Sequence, residues 1–69
     1  MTAQQMIKIA AENIDRATMK SSALLCLNDA VDAVMSGNFN HAKTRALKSM
    51  AYSLGIAHPL YLAAAAEVR

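Results

Sequence analysis

The feature that most constrains this chain is a short glycine turn, Ser36-Gly37-Asn38, between two long helix-forming segments. Neither glycine nor proline occurs from residue 2 to residue 36. Glycine readily adopts the left-handed conformation that ends a helix, and an asparagine after it can cap the next one. The sequence therefore predicts an all-α fold built around a tight antiparallel helical hairpin, with its turn at residues 36–40.

Length and composition limit the core that such a fold can have. The 69 residues predict one helical domain, 1–69, and a domain this small buries a modest fraction of its surface. Apolar residues make up 55% of the chain, with fifteen alanines and no tryptophan. Alanine lets helices approach closely, but one small bundle does not easily cover so many apolar faces. We expect a three- to four-helix bundle. We also expect that it either forms a homo-oligomer, specifically a dimer, or binds a partner protein.

The first half of the chain has a clear helical period. Its stripe, at alternating spacings of four and three, is Ala3, Ile7, Ala10, Ile14, Ala17, Ser21, Leu24, Asn28, Val31 and Met35. This pattern fits one long helix, or two helices at about 2–17 and 20–36. N-cap candidates at Thr18, Ser21 and Ser22 favour two helices. The broad apolar face of the second, on which Met35 has core spacing, predicts that it is the central helix.

The second half of the chain predicts two more helices. The third runs from about residue 40 to residue 54, where Gly55 ends it and Ile56 closes over its last turn. Pro59 suits the first turn of a new helix, so a short fourth helix extends to about Glu67. This helix is apolar all round and must be covered on more than one side. We expect it to supply the oligomer interface, which comprises Leu60, Leu62, Ala63 and Ala66.

A second candidate surface lies on the third helix. We call His41, Arg45, Lys48 and Tyr52 the basic stripe, since their spacings of four, three and four place them on one face. Such a face suits an acidic protein, a phosphate or a carboxylate-bearing ligand, and it is the predicted partner-binding site. A solvated helix surface without a partner is the alternative interpretation. Lys43 is expected to lie roughly level with Asp32 across the hairpin, where a pair between them would consume one of the basic charges.

The residues that carry enzyme chemistry are sparse. No nucleophile–base pair, phosphate-binding loop or set of ligands with metal spacing occurs in the sequence, which predicts a protein that is not an enzyme and holds no metal or cofactor. Cys26 lies in the middle of a predicted helix without a local cation, so we expect it to be an inert buried thiol.

The sequence also indicates the compartment in which the protein acts. A single cysteine gives no sign of an oxidising compartment, and no basic segment leads into an apolar one at the start of the chain. The longest uncharged run, 49–66, is interrupted by Gly55, His58 and Pro59, which argues against a membrane helix. These features predict a cytoplasmic protein that does not contact a membrane.

The hairpin resembles a known type of interaction unit. The segment Gly37-Asn38-Phe39-Asn40-His41-Ala42, with Ala30 at the small position of the preceding helix, is similar to a tetratricopeptide-type repeat and to three-helix domains such as the microtubule-interacting and trafficking domain. The resemblance covers about half of the chain, and the absence of a second copy excludes a solenoid. It implies a helical groove that binds a partner protein.

A second segment resembles the turn of a helix-turn-helix DNA-binding unit. The resemblance rests on Ala51-Tyr52-Ser53-Leu54-Gly55-Ile56, whereas Leu60 and Tyr61 follow one residue too early. The would-be recognition helix is also largely alanine and lacks side chains that read bases. The sequence therefore predicts a non-catalytic protein–protein interaction or regulatory protein. The alternative is a nucleic-acid-associated protein that uses the basic stripe or residues 51–62.

Overall fold

The computed structural model describes residues 1–68, which form helices without any strand. The elements are α1 (Ala3–Glu12), a single 3-10 turn (Ile14–Arg16), α2 (Lys20–Met35), α3 (Phe39–Leu54) and α4 (Pro59–Glu67). The predicted all-α bundle with a short C-terminal helix is confirmed. The predicted domain extends one residue further, to residue 69, which lies outside the described residues.

The bundle is compact as a single chain. Its accessible surface of 4172 Å² is close to the roughly 4,200 Å² that area scaling gives for a folded monomer of this mass. No helix within residues 1–68 combines the length and the apolar character needed to cross a membrane.

The first 36 residues form two helices, as the cap candidates favoured. Thr2 and Gln5 build a capping box at the start of α1, in which each side chain accepts a hydrogen bond from the other residue's backbone N–H. At the other end, the Asn13 side chain donates to the Ile9 carbonyl at 2.8 Å and helps to stop the helix. The predicted cap of α2 is wrong, because its N-cap residue is Met19, which makes no side-chain capping bond.

The hairpin turn lies where the sequence placed it. Gly37 has a φ of +79°, in the left-handed region. The Asn38 N–H donates to the Ala33 carbonyl at 2.8 Å and the Gly37 N–H donates to the Val34 carbonyl at 3.0 Å, which is the Schellman pattern. The Asn38 side chain then accepts from the His41 N–H at 3.3 Å and caps α3. The turn therefore joins two antiparallel helices without an intervening loop.

Small side chains fill the contact between α2 and α3. The buried residues on these two helices are Ala23, Cys26, Ala30, Ala33, Ala42, Ala46, Ser49, Met50 and Ser53. The Ser49 hydroxyl donates to the Ala23 carbonyl at 2.8 Å, a direct side-chain to backbone bond between the two helices. Met6 and Met50 are the largest fully buried side chains and fill the space where α1 packs on the hairpin.

The central helix is α3, not α2 as the sequence suggested. α3 packs against α1, α2 and α4. α4 begins at Pro59 with the His58 ring accepting from the Leu60 N–H, and it buries Ala64 in the same core as Met6 and Met50. α2 therefore keeps one side free of the bundle.

Candidate interaction surface

The outer face of α2 carries large apolar side chains that stay exposed. We call Leu24, Leu25, Asn28, Val31 and Met35 the α2 ridge. Met35 is 81% exposed, Leu25 62%, and Leu24 and Val31 39% each. Their spacings along the helix place them on one side of α2, with Asn28 as the only polar member.

Packing at the opposite side of α2 explains why the ridge faces outward. The inward positions, Ala23, Cys26, Ala30 and Ala33, are the small residues of the helix. They allow α3 to approach closely, whereas a leucine or methionine there would hold the two helices apart. The prediction that Met35 belongs to the core is therefore wrong. Leu24, Asn28, Val31 and Met35 belong to the helical period predicted for the first half of the chain. They face away from the core because the chain breaks between α1 and α2, so the period does not continue along one helix.

The size of the ridge is functionally informative. Its exposed apolar area is on the order of 300 Å², the lower end of the range for the largest patch on a typical monomer, and such patches are often functional. Met19, the N-cap residue of α2, and Phe39, the first residue of α3, are also about half exposed. The ridge carries no charged side chain, although Asp32 lies beside it.

The basic stripe occupies one flank of α3, next to α2. His41 and Lys48 are exposed, while Arg45 and Tyr52 are half-buried. The helix thus brings the four residues to one side, as their spacing predicted, but it does not present them equally to solvent.

Arg45 is used inside the fold. Its Nη2 atom donates to the Asp29 carboxylate at 2.9 Å and lies 3.5 Å from the Cys26 sulfur. The ion pair that joins the arms of the hairpin is therefore Arg45–Asp29. The expected Lys43–Asp32 pair does not form in the described part of the chain, where Lys43 lines a notch with Glu67.

An open polar notch lies between the end of α2 and the start of α3. It has a volume of about 360 Å³, and its polar lining residues are Asp29, Asp32, Ser36, Asn38 and His41. His41 of the basic stripe therefore lines the same notch as the carboxylates of Asp29 and Asp32. Within residues 1–68, no group of three or more His, Cys, Asp or Glu side chains is placed to hold a metal ion. Cys26 is a buried free thiol, as expected. The expectation that no cation lies near it is wrong, because the Arg45 guanidinium is 3.5 Å from its sulfur.

The predicted oligomer interface on α4 is also accessible. Leu60, Leu62, Ala63 and Ala66 are all exposed. Ile56 is 70% exposed, so the expectation that it closes over the last turn of α3 is wrong. The Gly55 backbone explains this difference, because its ψ of 153° directs the chain away from the helix that it ends.

Comparison of the chain with protein-family models, with curated proteins and with solved structures found no match. The resemblance of the hairpin to a tetratricopeptide-type repeat therefore stays a prediction. The α2 ridge was missed from the sequence. The signal that could have found it is the separation of small and large apolar residues onto opposite sides of one helix.

Proposed function

We propose that this protein is a small, non-catalytic interaction or regulatory protein that acts in the cytoplasm by binding other protein surfaces. The observation that carries the proposal is the α2 ridge, where large apolar side chains are exposed although the same helix buries small ones. The largest apolar patch of a monomer is often a functional contact site, and the α2 ridge carries no charged side chain. No enzyme is proposed, because no nucleophile–base pair emerges from the sequence.

A second contact surface is the flank of α3. Within residues 1–68, Arg45 is held by Asp29, so the groups that this flank offers are His41, Lys48 and Tyr52. The notch that His41 lines adds the exposed Asp32 carboxylate, so this flank offers both signs of charge to a polar partner. The tetratricopeptide-like resemblance of the hairpin supports partner binding at the same place, as an analogy only.

The alternative is a nucleic-acid-associated protein. Two observations weigh against it. The guanidinium of Arg45 in the basic stripe is paired with Asp29, and α4 is largely alanine and carries no Arg, Lys, Asn or Gln side chain for reading base edges. The remaining lysines would still support non-specific binding to phosphates, so the experiment must separate the two classes.

Affinity capture with surface variants tests the proposal. Purified protein is immobilised and exposed to a lysate of its source organism, with and without nuclease, at low and high salt. The variants are Met35→Glu on the α2 ridge, Lys48→Glu on the α3 flank and Leu62→Glu on α4. We expect a discrete protein that withstands nuclease and high salt and is lost with Met35→Glu or Lys48→Glu, but not with Leu62→Glu.

Two other results would contradict the proposal. If only nucleic acid is recovered and its recovery falls steeply with salt, the alternative function is correct. If all three variants retain the same proteins as the wild-type chain, neither proposed surface is a contact site.

A further inference from the structure

We propose that the α2 ridge is covered by a second copy of this chain, in a parallel two-fold dimer in which the α2 helices pair. The inference rests on the proposed function and names the occupant of its main surface. It replaces α4, which the sequence favoured, as the site of self-association.

The spacing of the ridge residues is the first observation that supports pairing of two α2 helices. Leu24, Asn28, Val31 and Met35 follow each other at intervals of four, three and four residues, and all four are exposed. This is the heptad spacing by which two like helices pack their side chains into each other's gaps, with Leu24 and Val31 at d positions and Asn28 and Met35 at a positions. A single helix face of this kind is complementary to itself.

Asn28 is the second observation, because it favours a parallel orientation of the two α2 helices. In a parallel pair, each a residue meets the same residue of the other copy, so the two Asn28 amides face each other and can exchange a hydrogen bond. In an antiparallel pair, each amide would meet Val31 and stay unpaired in an apolar contact. A lone asparagine in an otherwise apolar row therefore favours two parallel copies of this chain.

The charged residues beside the ridge are compatible with a parallel pair of α2 helices. The ridge carries no ionised group, and the nearest one, Asp32, occupies an e position. In a parallel pair an e residue faces a g residue of the other copy, which here is Leu27, so the two Asp32 carboxylates do not meet. Lys20, at the preceding g position, is paired with Asp15 of its own chain.

The available area fits a small dimer. The smallest stable interfaces bury about 600 Å² per partner, of which somewhat more than half, about 340 Å², is apolar. The ridge supplies on the order of 300 Å², which is close to that apolar area. The predicted interface on α4 offers less, since its two leucines, Leu60 and Leu62, lie two residues apart and point to different sides of a helix of 9 residues, and its other members are alanines. We expect a weak dimer whose population depends on protein concentration.

Sedimentation equilibrium from micromolar to millimolar concentration tests self-association. Met35→Glu on the ridge is compared with Leu62→Glu on α4, and circular dichroism checks that each variant is folded. The inference predicts that the wild-type chain and Leu62→Glu dimerise alike, and that Met35→Glu weakens dimerisation by at least about tenfold. A monomer at every concentration, or a dimer lost only with Leu62→Glu, would overturn it.

Cysteine cross-linking tests the orientation and leaves Asn28 in place. In a Cys26→Ser background, Leu24→Cys and Leu62→Cys are each oxidised under mild conditions. A parallel pair of α2 helices places the two residues 24 next to each other, whereas an antiparallel pair places residue 24 opposite Met35, so the parallel pair predicts that Leu24→Cys forms a covalent dimer much faster than Leu62→Cys. Equal or slower cross-linking at residue 24 would exclude the parallel arrangement.

The two proposals fail in different ways. If the chain stays monomeric while Met35→Glu abolishes capture of a discrete protein, the ridge binds a different partner, and only the dimer is wrong. If the chain is monomeric and no surface variant changes what is captured, the proposed function fails as well.

Discussion

Arg45 and Asp29 form the ion pair that joins α3 to α2, with the Arg45 Nη2 atom 2.9 Å from the Asp29 carboxylate. Both side chains are partly shielded, and the Arg45 Nε atom is buried without a hydrogen-bond partner in the described part of the chain. The same guanidinium lies against the Cys26 sulfur. This residue is therefore part of the hairpin contact and only secondarily part of the basic stripe.

The first prediction concerns this ion pair. In a double-mutant cycle with Arg45→Met and Asp29→Asn, we expect a coupling of about 0.5–1 kcal/mol, because a partly exposed pair is weakened by solvent. The measurement is urea unfolding followed by circular dichroism. The matched control is the Lys20–Asp15 pair, which is more exposed and should show no measurable coupling. Equal coupling in the two cycles would contradict this assignment.

The second prediction compares the two glycines. A Cβ atom at Gly37 or Gly55 would meet no atom within 4 Å, so only backbone conformation decides the cost of substitution. Gly37→Ala should destabilise by about 1 kcal/mol, the cost of the left-handed region. Gly55→Ala should cost about 2 kcal/mol or more, because its φ of 93° and ψ of 153° lie close to a region almost restricted to glycine. Thermal unfolding measures both. The reverse order would show that these turns have a different geometry in solution.

The third prediction concerns the buried hydroxyls of α3. Ser49→Ala removes the bond to the Ala23 carbonyl of α2 and should destabilise by about 1 kcal/mol, since that buried carbonyl loses a partner. Ser53→Ala is the control, because Ser53 bonds to the Ser49 carbonyl within its own helix. Chemical denaturation should show the smaller effect for Ser53→Ala. A Ser49→Ala variant as stable as the parent would argue against the close α2–α3 contact.

The fourth prediction compares two methionines. Met50 is fully buried and Met35 is 81% exposed, although both have core spacing in the sequence. Met50→Ala should destabilise by about 2–5 kcal/mol by leaving a cavity. Met35→Ala should change stability by less than about 0.5 kcal/mol in a dilute, monomeric sample. Guanidinium unfolding measures both, and a large loss for Met35→Ala would mean that α2 is oriented differently.

Much of the fold follows from the sequence because local chemistry decides it. The turn at Gly37 and the start of α4 at Pro59 each depend on one residue with restricted or unusual backbone freedom, and both were predicted. The break after α1 was only favoured, since neither glycine nor proline marks it. The Asn13 side chain helps to stop the helix there by donating a hydrogen bond to the Ile9 carbonyl, and periodicity does not reveal such a bond.

Which side of α2 faces the core could not be predicted from the sequence. Apolar residues lie on most of its circumference, so the spacing of Leu24, Val31 and Met35 is compatible with an inward or an outward face. The close contact with α3 decides the matter, because it admits Ala30 and Cys26 and excludes leucine. For the same reason the ion pair forms at Arg45 and Asp29, on the flank where the two helices meet.

The alanines between the helices have a consequence for how this chain can change. An alanine has no rotamers to lose when it is buried, so the interior forms at little entropic cost to its side chains. Ala30 and Ala46 are also fully buried, so a larger residue at either position must displace the groups packed around it. Sequence drift in this protein should therefore concentrate on its outer faces, while the seam between α2 and α3 accepts few replacements.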